Sequence, residues 1–213
     1  VGNVVDPFAL SEHYGVDQTR YFFLREVPFG QDGNYSHEAI VARINADLAN
    51  DLGNLAQRSL SMIAKNCEGR LPARGILSAA DEEILAAAAG MLERCRTAME
   101  TQQIHTAVAA IWSVVADANR YFAASEPWAL RKSDPERMAT VLNVTADVLR
   151  HVAILAQPYV PQSAARLLDI LAVAEDERSF ADLGNAMQAG RDLPAPAPVF
   201  PRYVEPETAE SGN

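Results

Sequence analysis

The sequence predicts an all-α protein, an antiparallel five-helix bundle preceded by a small mixed α/β unit, and three observations carry that expectation. Apolar residues recur at three- and four-residue spacing through most of residues 37–175, the period of helices with one buried face. The composition favours alanine, leucine, glutamate and arginine, with only 11 glycines and 7% aromatics, which disfavours an all-β domain. Proline, glycine and capping residues, rather than long polar linkers, punctuate the periodic runs. A chain of 213 residues that is 49% hydrophobic can bury a sizeable core in one or two domains.

Residues 1–36 read as an adapter between bodies. Asp6 suits an N-cap, Pro7 the first helical position and Gly15 a stop. A second short helix, about Asp17 to Glu26, concentrates Tyr21, Phe22, Phe23 and Leu24; it must pack against something, and Pro28 closes it. Gly30 to Gly33 then form a turn and Asn34-Tyr35 a brief strand. Ser36 is an N-cap for the next helix, with Glu38 favoured in its first turn by the helix dipole.

The bundle occupies residues 37–175. Its first helix places Ile44, Leu48, Leu52, Leu55, Ser59 and Met62 on one stripe and ends near Gly69 and Pro72. At roughly 30 residues it would span about 45 Å. The second opens with Ser78 and Asp81 in capping-box spacing and runs through Ile84, Leu85, Met91, Leu92 and Cys95. The third carries Ile104, Val108, Ile111, Trp112, Val115 and Phe122. The fourth opens on a capping box of Ser133 and Glu136 around Pro135 and stops before Pro158; the fifth, from about Pro161, uses Leu167, Leu168 and Leu171. Short connections make neighbours antiparallel. The remainder, 176–213, is a tail with an extended Pro194–Pro198 stretch and ten polar, mobile last residues.

Charge and cysteine usage narrow the function. A formal net charge of -10 excludes a nonspecific nucleic-acid coat, which needs a broad basic field, but leaves room for a local RNA site. Cys67 and Cys95 have neither disulfide-framework nor metal-knuckle spacing and read as reduced thiols. His13, His37, His105 and His151 are too scattered for a ligand set, so no metal site is expected. No apolar run long enough to cross a membrane and no signal segment is expected, and the missing initial methionine points to a fragment or processed piece.

Two features suggest recognition chemistry. Asn54 and Arg58 are four apart and stand one above the other on a helix. An amide and a guanidinium fork together suit the edge of a nucleobase, although such a pair is ordinarily a solvated face. Trp112 belongs to an apolar stripe, whereas Trp128 follows Glu126-Pro127 at a break where no stripe demands a large ring. Pro127 and Trp128 either cap the bundle end or present a stacking platform for an unstacked base.

The stretches V-G-N-V-V-D-P-F-A-L, Y-G-V-D-Q-T-R-Y-F-F-L-R-E-V-P-F-G-Q-D-G-N-Y-S, I-N-A-D-L-A-N-D-L-G-N-L-A-Q-R and A-N-R-Y-F-A-A-S-E-P-W-A-L, with V-F-P-R-Y near the end, resemble the C-terminal half of the bacterial methionyl-tRNA synthetase family. The resemblance implies that Gly2-Asn3 follows the K-M-S-K-S loop, that 1–36 is a stem-contact unit and that the bundle is the anticodon-binding type of class I synthetases. It implies that Asn54 and Arg58 hydrogen-bond the first anticodon base, a cytosine, and that Trp128 with Pro127 stacks on it. Implied partners are methionine tRNA, initiator and elongator, and the enzyme's own catalytic domain. ATP and Mg belong to the intact enzyme and none to this fragment, which lacks the H-I-G-H signature and is expected to be inactive alone. The expected setting is a cytoplasmic monomer without a membrane partner, with Phe200, Pro201 and Tyr203 folding back over 1–36. Arg20 and Arg25 would touch the tRNA stem or simply solvate their helix, and Asn119, Arg120 and Tyr121 would shape the pocket or serve helix packing. The alternatives are the anticodon-binding domain of another class I synthetase and a helical protein-interaction module.

Overall fold

A computed structural model describes residues 6–30, 33 and 35–205. Among them the only regular secondary structure is helical, with no strand and one isolated antiparallel bridge, Arg70 to Asp192, and residues 67–78 and most of 171–205 are irregular. The helices are α1 (Pro7–Tyr14), α2 (Val16–Glu26), α3 (His37–Arg43), a π-helical stretch (Ile44–Gly53), α4 (Asn54–Asn66), α5 (Ala79–Ala89), α6 (Met91–Glu100), α7 (Ile104–Ser125), α8 (Pro127–Ser133), α9 (Pro135–Ala156) and α10 (Pro161–Ile170).

The expected mixed α/β unit is therefore overturned: the first segment is helical. Asp6 caps α1, its Oδ1 accepting from Phe8 N at 2.9 Å, and Gly15 ends it at φ +98°. The aromatic run forms one face of α2, where Tyr21 packs on Trp112 with ring centroids 4.4 Å apart and donates to Asp47 Oδ2 at 2.7 Å. The expected strand falls partly on Asn34, outside the described residues; Tyr35 is not in a strand, and two residues without a paired partner cannot make a ladder. Gly2-Asn3 and the last eight residues also lie outside them.

The count of five helices is overturned as well. Gly90 separates α5 from α6, and Glu126, at φ +44° in the left-handed region, breaks the chain so that Pro127 can start the short α8. Ser78 and Asp81 form the expected capping box. Ser133 does not cap α9: it ends α8, and Asp134 takes the cap, accepting from Arg137 N at 3.0 Å.

Residues 37–66 are continuously helical, yet the middle is π rather than α. Ile40, Ile44, Leu48 and Leu52 are all buried at strict four-residue spacing. On a straight α-helix each such step would rotate the side chain by roughly 40°, carrying the row off the core face. The wider π turn keeps the row inside. It is also braced from α7, where Trp112 Nε1 donates to Asp47 O at 3.1 Å and Asn119 Nδ2 to Asp51 O at 3.2 Å.

Helix α9 is the centre of the bundle. Contrary to expectation it is, by length and composition alone, apolar enough to cross a membrane, but 94% of that window is buried in the fold. Its polar residues hold loops: Arg74 reaches Asn143 Oδ1 at 2.8 Å and Asp147 Oδ2 at 2.9 Å, and Arg150 donates to the carbonyls of Asp182, Leu183 and Asn185. The tail adds Val199 and Phe200 to the same core. Tyr203 pairs its backbone with the Asn45 amide and sets its hydroxyl 2.7 Å from His13 Nε2.

Candidate nucleic-acid interface

Asn54 is the first residue after the π stretch, and Arg58 stands one turn further along α4. Both are exposed and make no side-chain hydrogen bond or ion pair among the described residues. The four-residue row of the π stretch faces the core, so the opposite face of the same helix is fixed outward from its first residue on.

Trp128 comes from α8. Pro127 is buried at its first position, and Trp128 is 45% exposed, unlike Trp112 in the core. Phe122, one turn before the end of α7, lies beneath: its ring centroid is 6.0 Å from that of Trp128, with the planes inclined by 59°. The Arg58 guanidinium stands over both rings, 5.2 Å from the Phe122 centroid and 5.3 Å from that of Trp128. Two residues 70 positions apart in sequence are thus joined by cation–π contacts at one surface point. Asn54 is one turn, about 6 Å, along the helix from Arg58. The result is a half-exposed indole with the Arg58 donor fork over its ring and an amide one turn away, built from three elements.

The ends of α7 and α9, between which α8 is strung, are tied by Asp81. Its carboxylate, 0% exposed, accepts from Tyr121 Oη at 2.5 Å and from both Arg137 terminal nitrogens at 2.5 and 2.9 Å, and Ser78 N donates to it at 2.8 Å. Burial pushes the Asp81 carboxyl up, but the hydrogen bonds of Arg137, Tyr121 and Ser78 outweigh it and hold the group well below the ordinary carboxylate range. The Tyr121 hydroxyl is pushed up by burial and by its bond to that carboxylate. Within the π stretch, burial and the neighbouring Asp47 charge raise the Asp51 carboxyl.

Similarity to known proteins follows this division of the chain. Residues 71–211 match the family described as the anticodon binding domain of methionyl tRNA ligase, and residues 1–60 match class I tRNA synthetases of the methionine type. The chain belongs to the methionyl-tRNA synthetase family. Among relatives, the methionine–tRNA ligase of Brucella suis is 68% identical over 206 residues, covering 96% of this chain and 40% of that protein. The corresponding Mycobacterium tuberculosis enzyme is 56% identical over 214 residues, covering 99% and 41%. The apo crystal structure of M. tuberculosis methionyl-tRNA synthetase superposes with a TM-score of 0.94 at 55% identity, over 96% of this chain and 42% of that one. The structure of the same enzyme with methionyl-adenylate gives 0.92 at 56% identity, over 95% and 40%. The chain thus spans about 40% of the length of the curated relatives it matches, and corresponds to the anticodon-binding and stem-contact region of a methionyl-tRNA synthetase.

Within this methionyl-tRNA synthetase region, several residues have roles that the sequence left open or hid. Arg20 donates to the carbonyls of Pro158 at 2.7 Å and Tyr159 at 3.2 Å, and Asp17 accepts from Ser163 N at 2.6 Å, so they fasten α2 to the turn before α10 and to the first turn of α10. Asn119 braces the π stretch and Tyr121 serves the Asp81 junction, so both belong to helix packing, whereas Arg120 is exposed and pairs with Asp117 on its own helix. Phe122, read as stripe, also underlies Arg58; its spacing gives no sign of that second contact, which depends on the approach of α4 to α7. Cys67 and Cys95 are free thiols that burial pushes up.

Proposed function

We propose that this chain reads the C-A-U anticodon of methionine tRNA for an intact methionine–tRNA ligase. The observation that supports this best is the meeting of the exposed Arg58 and half-exposed Trp128 over the buried Phe122, with Asn54 one turn away. A loop base unstacked from the RNA lies on the Trp128 face, an interaction worth about 1 to 3 kcal/mol by alanine substitution. Stacking accepts any base, so choice belongs to Asn54 and Arg58. A cytosine edge offers an amine donor and two acceptors, and a wrong base leaves polar groups unpaired at a cost of roughly 1 to 3 kcal/mol. Pro127 sets the angle of the platform by starting α8. A local site of this kind is compatible with a net charge of -10.

In the intact protein the catalytic part activates methionine with ATP and Mg and transfers it to initiator and elongator methionine tRNA. Nothing in this chain is assigned to ATP or the metal, and alone it is inactive in aminoacylation. Residues 1–36 touch the tRNA stem and the catalytic domain, 37–175 bind the anticodon, and 176–213 fold back over the first unit. The enzyme works as a cytoplasmic monomer without a membrane partner.

The test is a titration of the chain with two anticodon stem-loops, one carrying C-A-U and one with only the first base changed. A preference for C-A-U that Trp128→Ala and Arg58→Ala each weaken about tenfold or more carries the reading. Binding without preference among loops moves specificity elsewhere, and absence of binding at low salt favours a protein-interaction module instead.

A further inference from the structure

We propose that Asp81 is a positioning residue for the Trp128 platform: it closes the segment from Tyr121 to Arg137, on which α8 is strung, into a loop whose two ends meet on one carboxylate. This rests on the anticodon reading proposed above and adds to it a residue that, being fully buried, touches no RNA. Asp81 lies in the first turn of α5, a helix that contributes nothing else to the site, and it already partners Ser78 there in the capping box. Its bonds to the segment go beyond what a cap requires. Tyr121, near the end of α7, donates to its Oδ1 at 2.5 Å, and Arg137, in the first turn of α9, donates to Oδ2 and Oδ1 at 2.5 and 2.9 Å. Both ends of the segment are thereby held by the two oxygens of one group.

The way α8 is attached makes those two ends decisive. Among the described residues, every hydrogen bond of 126–133 stays within the segment: Glu126 N donates to Ala123 O, the Glu126 carbonyl accepts from Ala129 and Leu130, Leu130 O accepts from Asp134 N, and Ser133 Oγ donates to Ala129 O. Pro127 is buried and Leu130 packs against the core, but apolar contact is non-directional and holds the helix down without fixing its angle. The corner into α8 is also strained. Glu126 sits at φ +44° and ψ +51°, a left-handed conformation that a side chain disfavours and that persists only where the surroundings over-determine it. Packing does not hold the junction from outside, because a groove of about 540 Å³, lined by Ile84, Tyr121, Ser125 and Arg137, lies open against it. The bonds to Asp81 are what brings the chain back to the same place on both sides of the corner. Phe122, next to Tyr121, lies beneath Trp128 with ring centroids 6.0 Å apart, so a shift at that end reaches the platform directly.

The experiment measures binding of two anticodon stem-loops, C-A-U and one with only the first base changed, to the full-length synthetase that carries this chain. Tyr121→Phe and Arg137→Lys each relax one end of the segment, and each is made in the unsubstituted and the Trp128→Ala backgrounds. Either one is expected to weaken both loops about threefold, by lowering the fraction of protein whose platform is in place, and by less than Trp128→Ala does. Stacking accepts any base, so the preference for C-A-U is unchanged. In the Trp128→Ala background neither has a further effect, because the group through which they act is gone. Asp81→Asn is expected to behave alike, but it also lowers overall stability, so the two milder variants decide. Fluorine NMR of the fluorotryptophan-labelled protein supplies a signature that general destabilisation does not give: Tyr121→Phe shifts or broadens the Trp128 line and leaves that of Trp112, the lines being identified with Trp128→Ala and Trp112→Phe. Unchanged binding by both milder variants overturns the proposal, as do equal losses in the two backgrounds. So does a loss confined to the C-A-U loop, which places the effect on Asn54 and Arg58 instead. If Trp128→Ala weakens binding and the Tyr121 and Arg137 variants do not, only the role of Asp81 fails; if Trp128→Ala does not, the anticodon reading fails with it.

Discussion

Asp81 shows how much one side chain can hold. It is fully buried and ionised because Arg137, Tyr121 and Ser78 together supply more than burial removes. Its folded pKa lies below the ordinary value, so the unfolded chain takes up the proton first and stability falls as pH drops below about 4. Asp81→Asn keeps the shape but leaves Arg137 with a weaker partner. It is expected to cost about 3 kcal/mol at pH 7, in the range for breaking a buried pair. Thermal melts followed from pH 7 to pH 3 should show the gap between the two proteins narrowing as the acid is approached. A constant gap would mean that the carboxylate's charge is not what stabilises the junction. The same side chain also shows what could be read in advance. Its capping box with Ser78 is a local signal three residues long, whereas its bonds to Tyr121 and Arg137 join residues 40 and 56 positions away and leave no trace in spacing.

At the scale of elements, capping chemistry was legible at Asp6, Ser36 and Ser78 because a cap is decided by a residue and its next three neighbours. The apolar stripe from Ile44 to Leu55 was legible for the same reason, but its pitch was not. The π turns depend on donors from α7, on Trp112 and Asn119, and on the tail seated at Gly53. The site divides in the same way. Asn54, Arg58 and Trp128 stood out as side chains with no core to fill, but Phe122 did not, because it is buried. Gly53 offers a test in which two effects oppose. In an ordinary helix Gly→Ala gains up to about 1 kcal/mol. Here a Cβ meets the Leu48 carbonyl oxygen at 2.9 Å and the Phe200 carbonyl oxygen at 3.3 Å, and neither backbone group can turn aside. Overpacking costs typically 1 to 3 kcal/mol, so Gly53→Ala should be destabilised by about 1 kcal/mol in urea denaturation. A more stable variant would show that the tail yields easily at this point.

At the scale of the whole molecule, the N-terminal helices are tied to the bundle through α2, which contributes to two apolar clusters. Tyr21 belongs to the bundle core, while Phe22, beside it, belongs to a second cluster with Ile40 and Ile44. The two clusters are joined at α2, whose polar face is clamped to the turn before α10. Asp17 accepts from the first backbone N–H groups of α10, where a negative charge is favoured by the helix dipole, and Arg20 takes the two carbonyls just before it. Four hydrogen bonds thus cross about 140 residues of sequence at one joint. Removing them leaves α2 held by Tyr21, through Trp112 and Asp47, and by Phe22 in its cluster with Ile40 and Ile44. The double variant Asp17→Ala, Arg20→Ala should therefore keep the bundle folded but let α1 and α2 open locally. Each lost hydrogen bond from or to a charged group removes about 1.5 kcal/mol or more, enough for a partial opening well below global unfolding. Hydrogen exchange provides the measurement: amides of residues 8–26 should exchange at least tenfold faster, while those in α9 remain protected as before. If both regions accelerate together, the chain unfolds as one cooperative unit and the joint contributes only to overall stability. If only the first two helices do, the joint is the element that keeps the N-terminal helices in register with the Arg58–Trp128 site.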